Sequence, residues 1–135
     1  SKKTIYKIKI NKNNKIVSKK IFKKLSLEEG SPDGMTLDKN KNLWVAHFHG
    51  ACVSVFNNKA KLIHRIRFPA KNITNCAFGG KNTNELYVST ATKGMNKADL
   101  QKFRYSGFFF SVKTNVKGIL QKKFILNNEE KRSLL

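Results

Sequence analysis

The segment Gly30-Ser31-Pro32-Asp33-Gly34-Met35 is the stretch of the sequence best suited to hold a reactive side chain in place. Pro32 fixes one backbone dihedral, and Gly34 permits a conformation that a residue with a Cβ would resist. Asp33 is therefore predicted to present a carboxylate at the mouth of a strand rather than on a mobile loop. Pro-Asp-Gly is also a common turn tripeptide, so an ordinary turn is the alternative.

A second group able to do chemistry is the pair His47 and His49. Residues two apart on a strand share one face, and two imidazoles on one face are suited to bind zinc or copper. The simpler alternative is that both histidines end a strand beside Gly50. His64 lies on an alternating strand, where a surface position explains it.

Cys52 and Cys76 have no neighbouring cysteine, so the sequence predicts neither a disulfide framework nor a thiolate zinc site. Both lie among apolar residues, which favours buried free thiols and is compatible with the reducing cytoplasm. Ser31, Ser89 and Thr90 lack a Gly-x-Ser-x-Gly elbow, which argues against a serine hydrolase.

Short strands separated by polar turns must position these residues, because alternating apolar runs recur along most of the chain. One segment, Lys93 to Ser106, interrupts this pattern, and Asn96 is a candidate N-cap for one or two helical turns there. The predicted strands are Ile5–Ile10, Ile16–Phe22, Met35–Leu37, Leu43–His47, Cys52–Phe56, Leu62–Phe68, Cys76–Phe78, Glu85–Ser89 and Phe108–Val112.

The strands also repeat. Leu43-Trp44-Val45 and Leu86-Tyr87-Val88 are offset by 43 residues, and the pattern at Ile5 to Ile8 recurs at Val53 to Phe56 and again at Phe108 to Val112. Antiparallel units of four strands that recur at about 40–45 residues are typical of propeller blades. The sequence therefore predicts an all-β fold, a β-propeller of about three blades.

The length is short for such a fold. A closed propeller needs at least four blades, whereas 135 residues supply about three. Two blade faces would be left open to water. We therefore expect the chain to be completed by a missing propeller half or by a second copy of the chain.

The net charge of +20 suggests a nucleic-acid partner, but the composition gives a simpler explanation. Of the 28 basic residues 24 are Lys, they are spread along the whole chain, and Asn occurs 15 times. Arg is the residue preferred for phosphate and guanine recognition. A solvated Lys/Asn-rich surface is favoured. The apolar runs are too short to cross a membrane, and no signal peptide is recognised.

The run from Pro32 through Asp38, followed by Asn42 to Ala46, resembles the SMP-30/gluconolactonase/LRE-like family, whose best-known animal members are regucalcins. The similarity continues through Phe68-Pro69, the segments Thr74–Gly80 and Glu85–Ala91, then Gly94-Met95, Gly107–Phe109 and Val116–Gly118. The ordered series covers most of the chain and corresponds to about the C-terminal half of a family member.

The resemblance implies a six-bladed β-propeller that hydrolyses sugar lactones with a divalent metal (Ca, Zn, Mg or Mn). It implies that Asp33 is both a metal ligand and the catalytic general base in the central channel. The family's other protein ligands, a glutamate and an asparagine, belong to motifs that do not occur in this sequence, and neither Glu28 nor Glu29 lies in a matching motif. We therefore expect the chain alone to be inactive.

The resulting prediction is a lactonase half-propeller over residues 1–126, followed by a tail at 127–135, with a sugar lactone as substrate. Two other functions stay open. A non-enzymatic Ca²⁺-binding or interaction module would bind metal without turning over a lactone. A basic nucleic-acid-binding domain would show affinity that falls steeply with salt.

Overall fold

Antiparallel pairing organises residues 3–119, the part of the chain that the computed structural model describes, into three sheets. Within each sheet, every strand pairs with the next one along the chain. The first sheet contains β1 (Thr4–Ile10) and β2 (Ile16–Lys24); the second contains β3 (Ser31–Leu37), β4 (Leu43–Phe48), β5 (Cys52–Phe56) and β6 (Leu62–Arg67); the third contains β7 (Asn72–Gly79), β8 (Glu85–Ala91) and β9 (Phe109–Lys113).

This arrangement confirms the all-β prediction and the parts of three blades that the repeats indicated. The two segments offset by 43 residues are the second strands of the second and third sheets, and β5 and β9 are their third strands. Two strands begin four residues earlier than predicted, β3 at Ser31 and β7 at Asn72. The predicted boundary at residue 126 and the tail at 127–135 lie outside the described residues.

The second and third sheets pack face to face through one continuous apolar core. Trp44, Val53 and Val55 from the second sheet meet Ile73 and Leu86 from the third, and all five are buried. Alternation explains the interface, because residues two apart on a strand point to the same face. The core sets the distance between the strands that lead each sheet.

A smaller core joins the first sheet to the second. Ile5 and Leu25 pack on Val45 and Phe56, which lie on the opposite face of the second sheet from Trp44. The second sheet is therefore covered on both faces. The strand β5 is buried along its whole length, as expected for a strand with a sheet on either side.

The β3–β4 turn is held by a buried carboxylate. Asp38 is 1% exposed, and its Oδ2 accepts hydrogen bonds from the Trp44 indole Nε1–H and the Asn42 amide, both at 3.0 Å. Its Oδ1 accepts the backbone N–H of Asn42 at 2.9 Å. Asp38 thus orients the largest side chain of the main core, whose ring meets Phe78 edge-to-face at 5.1 Å.

The helical insertion is confirmed as α1 (Lys97–Lys102), which begins at the predicted N-cap Asn96. Asn96 and Asp99 form a capping box. The insertion is tied to the β6–β7 loop, because Lys71 Nζ contacts Asp99 Oδ2 at 2.5 Å and the Lys71 backbone N–H donates to Ser106 Oγ at 3.1 Å. No helix among residues 3–119 has the length and apolar character needed to span a membrane.

We expect Asp38→Ala to lower the free energy of unfolding by about 2 kcal/mol or more, because the buried indole N–H of Trp44 and the half-buried N–H of Asn42 would lose their acceptor. Urea denaturation checks this. Lys39→Ala, at the exposed neighbouring position, is the matched control. Equal losses in both variants would contradict the role assigned to Asp38.

Candidate functional site

The strands that lead the second and third sheets, β3 and β7, start at the same end of the structure. Because β3 to β6 alternate in direction, β6 ends where β3 begins, and the short loop to β7 stays at that end. Two backbone hydrogen bonds close this loop onto the end of β4, from Ala51 to the Lys71 carbonyl and from Phe68 to the Ala51 carbonyl. The helical insertion leaves β8 here too. We call this the Asp33 end.

Asp33 lies inside β3, so the Pro-Asp-Gly segment is part of a strand rather than a free-standing turn. Pairing with β4 is interrupted between Pro32, opposite His47, and Met35, opposite Val45. Such a bulge re-aims side chains and is frequent beside functional sites. Asp33 is exposed, and within residues 3–119 no side chain pairs with its carboxylate.

Gly34 is required for space and not, as predicted, for an unusual backbone conformation, since it is absent from the positive-φ residues of the described chain. A Cβ at Gly34 would lie 2.0 Å from Asn75 Oδ1 and 2.7 Å from Asn75 Cα. No rotation of the Asn75 side chain would remove the clash with the backbone. Gly34 therefore lets β7 approach β3 directly beside Asp33.

Cys76 fills the space beneath this contact. Its thiol points to the Trp44 carbonyl oxygen at 3.6 Å and to the Gly34 carbonyl oxygen at 3.9 Å. Burial raises the pKa of the Cys76 thiol to about 12, and burial also raises the pKa of Cys52. The prediction of two buried free thiols is confirmed. Neither is suited to act as a nucleophile, which requires the thiolate.

The two histidines do not form a site. His47 lies within β4 and is fully buried, whereas His49 lies beyond the strand at φ 63° and is exposed. The prediction that both lie on one strand face is wrong, because the backbone turns at His49. His47 Nδ1 contacts the Glu29 carbonyl oxygen at 2.6 Å, so His47 holds the segment that leads into β3. Burial lowers the pKa of His47.

Glu29 is committed to the same local structure. Its Oε2 accepts the Ser26 backbone N–H at 3.0 Å, and its Oε1 pairs with Arg65 at 2.6 Å. Arg65 in turn donates to the buried Ser54 hydroxyl at 3.0 Å. The bond from Ser26 and the Arg65 guanidinium lower the pKa of Glu29. Both oxygens of the Glu29 carboxylate are therefore engaged in holding the segment before β3, and Glu29 is not available as a metal ligand.

The described residues supply part of a metal site at most. No group of three or more His, Cys, Asp and Glu is close enough to hold an ion anywhere within residues 3–119. Asp33 fits as one carboxylate ligand, but one carboxylate does not bind a divalent ion usefully by itself. A groove of about 430 Å³ between the second and third sheets is lined by Asp38, Trp44 and Val112, at the opposite end from Asp33.

Comparison with known proteins identifies the family. The family model described as SMP-30/Gluconolactonase/LRE-like region matches residues 1–92. The chain belongs to this family. The match includes β3 with Asp33, and it ends just after β8.

Individual family members are similar over part of their length. YvrE of Bacillus subtilis, which is named as a candidate sugar lactone lactonase, is 41% identical over 91 residues, 67% of this chain and 31% of YvrE. Regucalcin of Danio rerio is 40% identical over 98 residues, 71% of this chain and 33% of that protein. The chain thus spans about a third of the length of these relatives.

Solved structures extend the likeness to the fold. A luciferin-regenerating enzyme superposes with a TM-score of 0.77 at 27% identity, over 87% of this chain and 40% of that one. A regucalcin from Agrobacterium tumefaciens, described as a calcium-binding protein, gives a TM-score of 0.83 at 20% identity, over 93% and 43%. These matches confirm the partial propeller.

Sequence reasoning missed Asn75, which entered only as one letter of the segment Thr74–Gly80. Asn75 is found only from the packing of β7 against β3, which places it beside Gly34, the residue that follows Asp33. Within the described residues the rings of Tyr87 and Phe109 stack at 5.7 Å on the open face of the third sheet, and Phe109 is 67% exposed.

The buried His47 predicts acid sensitivity. Its pKa is lower in the folded chain than the usual value near 6.5, so the unfolded chain takes up a proton first as the pH falls. The free energy of unfolding should therefore decline below about pH 6.5, by at most about 1.4 kcal/mol per pH unit, until His47 also titrates. His47→Asn should flatten this slope between pH 6.5 and 5 in urea denaturation. An unchanged slope would assign the effect to other groups.

Gly34→Ala should lower the free energy of unfolding by about 1–3 kcal/mol, because the added methyl group meets the Asn75 backbone and forces β3 and β7 apart. Thermal and urea denaturation measure the loss. Ser111→Ala, on the exposed side of β9, is the control and should be near neutral. A Gly34→Ala variant as stable as this control would show that the strands are not in close contact.

Proposed function

We propose that this chain forms part of the catalytic propeller of a divalent-metal-dependent sugar lactonase and contributes Asp33 to its metal and catalytic site. The observation that carries the proposal is the exposed Asp33 carboxylate, which has no protein partner among the described residues and lies at a bulge of β3. Family membership, the candidate lactonase assignment of YvrE and the calcium-binding description of a regucalcin support it.

Asp33 is suited to two tasks in lactone hydrolysis. As a ligand, its carboxylate would help to hold a divalent ion, which polarises the lactone carbonyl and lowers the pKa of water. As a general base, the same carboxylate would orient the attacking water and accept its proton. Both tasks require a side chain without another partner, and Glu29, the nearby acidic alternative, is engaged by Ser26 and Arg65.

The remaining ligands and blades are proposed to come from polypeptide outside this chain. Both ends of the sheet stack expose apolar side chains that a closed propeller would cover. On the first sheet Tyr6, Ile8 and Ile10 alternate along β1 and are 39%, 49% and 57% exposed. On the third sheet the Tyr87–Phe109 pair is open. The solved relatives, of which this chain covers 40–43%, have the length needed to close the ring.

In the complete protein that contains this chain, hydrolysis of an aldonolactone should require a divalent ion. Asp33→Ala should lower kcat/KM by about 10³-fold or more, since it removes both a ligand and a proton acceptor. Glu28→Ala, an exposed acidic residue without an assigned role, should change it less than two-fold. Activity that survives both chelation and Asp33→Ala would overturn the proposal, and metal binding without turnover would favour the non-enzymatic Ca²⁺-binding module.

The open faces give a separate prediction. If the rest of the propeller covers the first sheet, Ile8→Lys should cost the complete protein about 2 kcal/mol or more in free energy of unfolding, because it buries a charge. Leu27→Lys, at a position 85% exposed, should cost less than about 0.5 kcal/mol. Two equally small losses would mean that the face is in solvent and that the chain is not completed on this side.

A further inference from the structure

The side chain of Asn75 lies against the peptide next to Asp33. A Cβ at Gly34 would come within 2.0 Å of Asn75 Oδ1 and 2.5 Å of its Cγ, so the amide occupies the space that Gly34 leaves empty. Gly34 lies in the interruption of strand pairing on β3 between Pro32 and Met35, and Asn75, which pairs with Ser89, borders the interruption on β7 at Thr74. The two leading strands therefore bring the Asn75 amide against Gly34, the residue that follows Asp33, at the Asp33 end.

The orientation of this amide is fixed by the protein. Asn75 Oδ1 accepts the backbone N–H of Cys76 at 2.8 Å. Because that backbone group is a donor, the amide oxygen must be the atom facing it, and Nδ2 points elsewhere with two N–H groups to donate. Asn75 is exposed, and none of the described residues accepts a hydrogen bond from Nδ2. Cys76 is itself buried and held against Gly34 and Trp44.

We propose that Asn75 is a substrate-positioning residue, whose Nδ2–H donates a hydrogen bond to a hydroxyl or ring oxygen of a polyhydroxylated lactone bound beside Asp33. The inference rests on the proposed function and assigns part of the substrate recognition to this chain. Sugar lactones present several oxygen acceptors, and a pinned donor discriminates between them at little entropic cost. An interaction made equally in the ground state and the transition state changes KM and leaves kcat unchanged.

The test uses the complete protein with three readouts. Steady-state kinetics compare an aldonolactone with δ-valerolactone, which has no hydroxyl groups. Calorimetry measures the binding of Mn²⁺ alone and of an aldonolactam, the non-hydrolysable amide analogue of the substrate. Asn75→Ala removes the whole amide, whereas Asn75→Asp keeps the oxygen that binds the Cys76 N–H and replaces the donor with an anionic oxygen. Asn58→Ala, in the exposed β5–β6 turn, is the matched control.

We expect Asn75→Ala and Asn75→Asp to raise KM for the aldonolactone about ten-fold with kcat within two-fold. The Asn75→Ala variant should bind the lactam about ten-fold more weakly than the unmodified protein. Its affinity for Mn²⁺ and its kinetics with δ-valerolactone should equal those of the unmodified protein. Asn58→Ala should change none of these values. Unfolding measurements on each variant show that it is folded.

Other results would overturn the inference. Weaker Mn²⁺ binding in Asn75→Ala would make Asn75 a metal ligand. A lower free energy of unfolding with unchanged KM and lactam affinity would assign it to packing against the rest of the propeller. Failure of the proposed function gives a different result. If the unmodified protein binds the lactam but hydrolyses no lactone, and Asn75→Ala abolishes lactam binding, the role of Asn75 is supported and the lactonase is excluded. An unmodified protein that binds no lactam would refute both.

Discussion

The close approach of β3 and β7 at Gly34 is the constraint on which the candidate site depends. Any side chain larger than hydrogen at this position would collide with the Asn75 backbone. The main core sets the same distance between β3 and β7, because Cys76, next to Asn75, is buried between the second and third sheets. The packing that stabilises the two sheets therefore also fixes the distance between Asp33 and the neighbouring strand. A substitution in this core would therefore change the position of Asp33 relative to β7.

Polar contacts on the other side of the second sheet complete this support. His47 and Arg65 come from different strands, and both contact Glu29, one through its backbone carbonyl and the other through its carboxylate. Glu29 lies shortly before β3, so these contacts fix the path along which the chain enters the strand. Asp33 is thus placed by an apolar interface on one side and a polar cluster on the other. It needs no partner of its own.

Local pattern was sufficient to predict most of the fold. Alternation of Ile with Lys marked β1, and the Asn96 N-cap marked the only helical interruption within the described residues. The motif around Asp33 indicated the family. The features that the sequence did not predict depend on contacts between segments far apart in the chain. The bulge at Pro32 to Met35 forms where Asn75 packs on Gly34, and the buried His47 contacts the Glu29 carbonyl oxygen. No window of the sequence contains both partners of either contact.

The interruptions of β3 and β7 occupy corresponding places in successive sheets. Asp33 and Gly34 on β3 and Thr74 on β7 lie outside the regular ladder, while their neighbours continue to fill the apolar interfaces. A recognition surface built in this way is modular, since each blade adds one or two positions that no core residue shares. Exposed positions such as Asp33 are open to evolutionary exchange one blade at a time, so ligand preference can diverge while Gly34 keeps the spacing of the two strands.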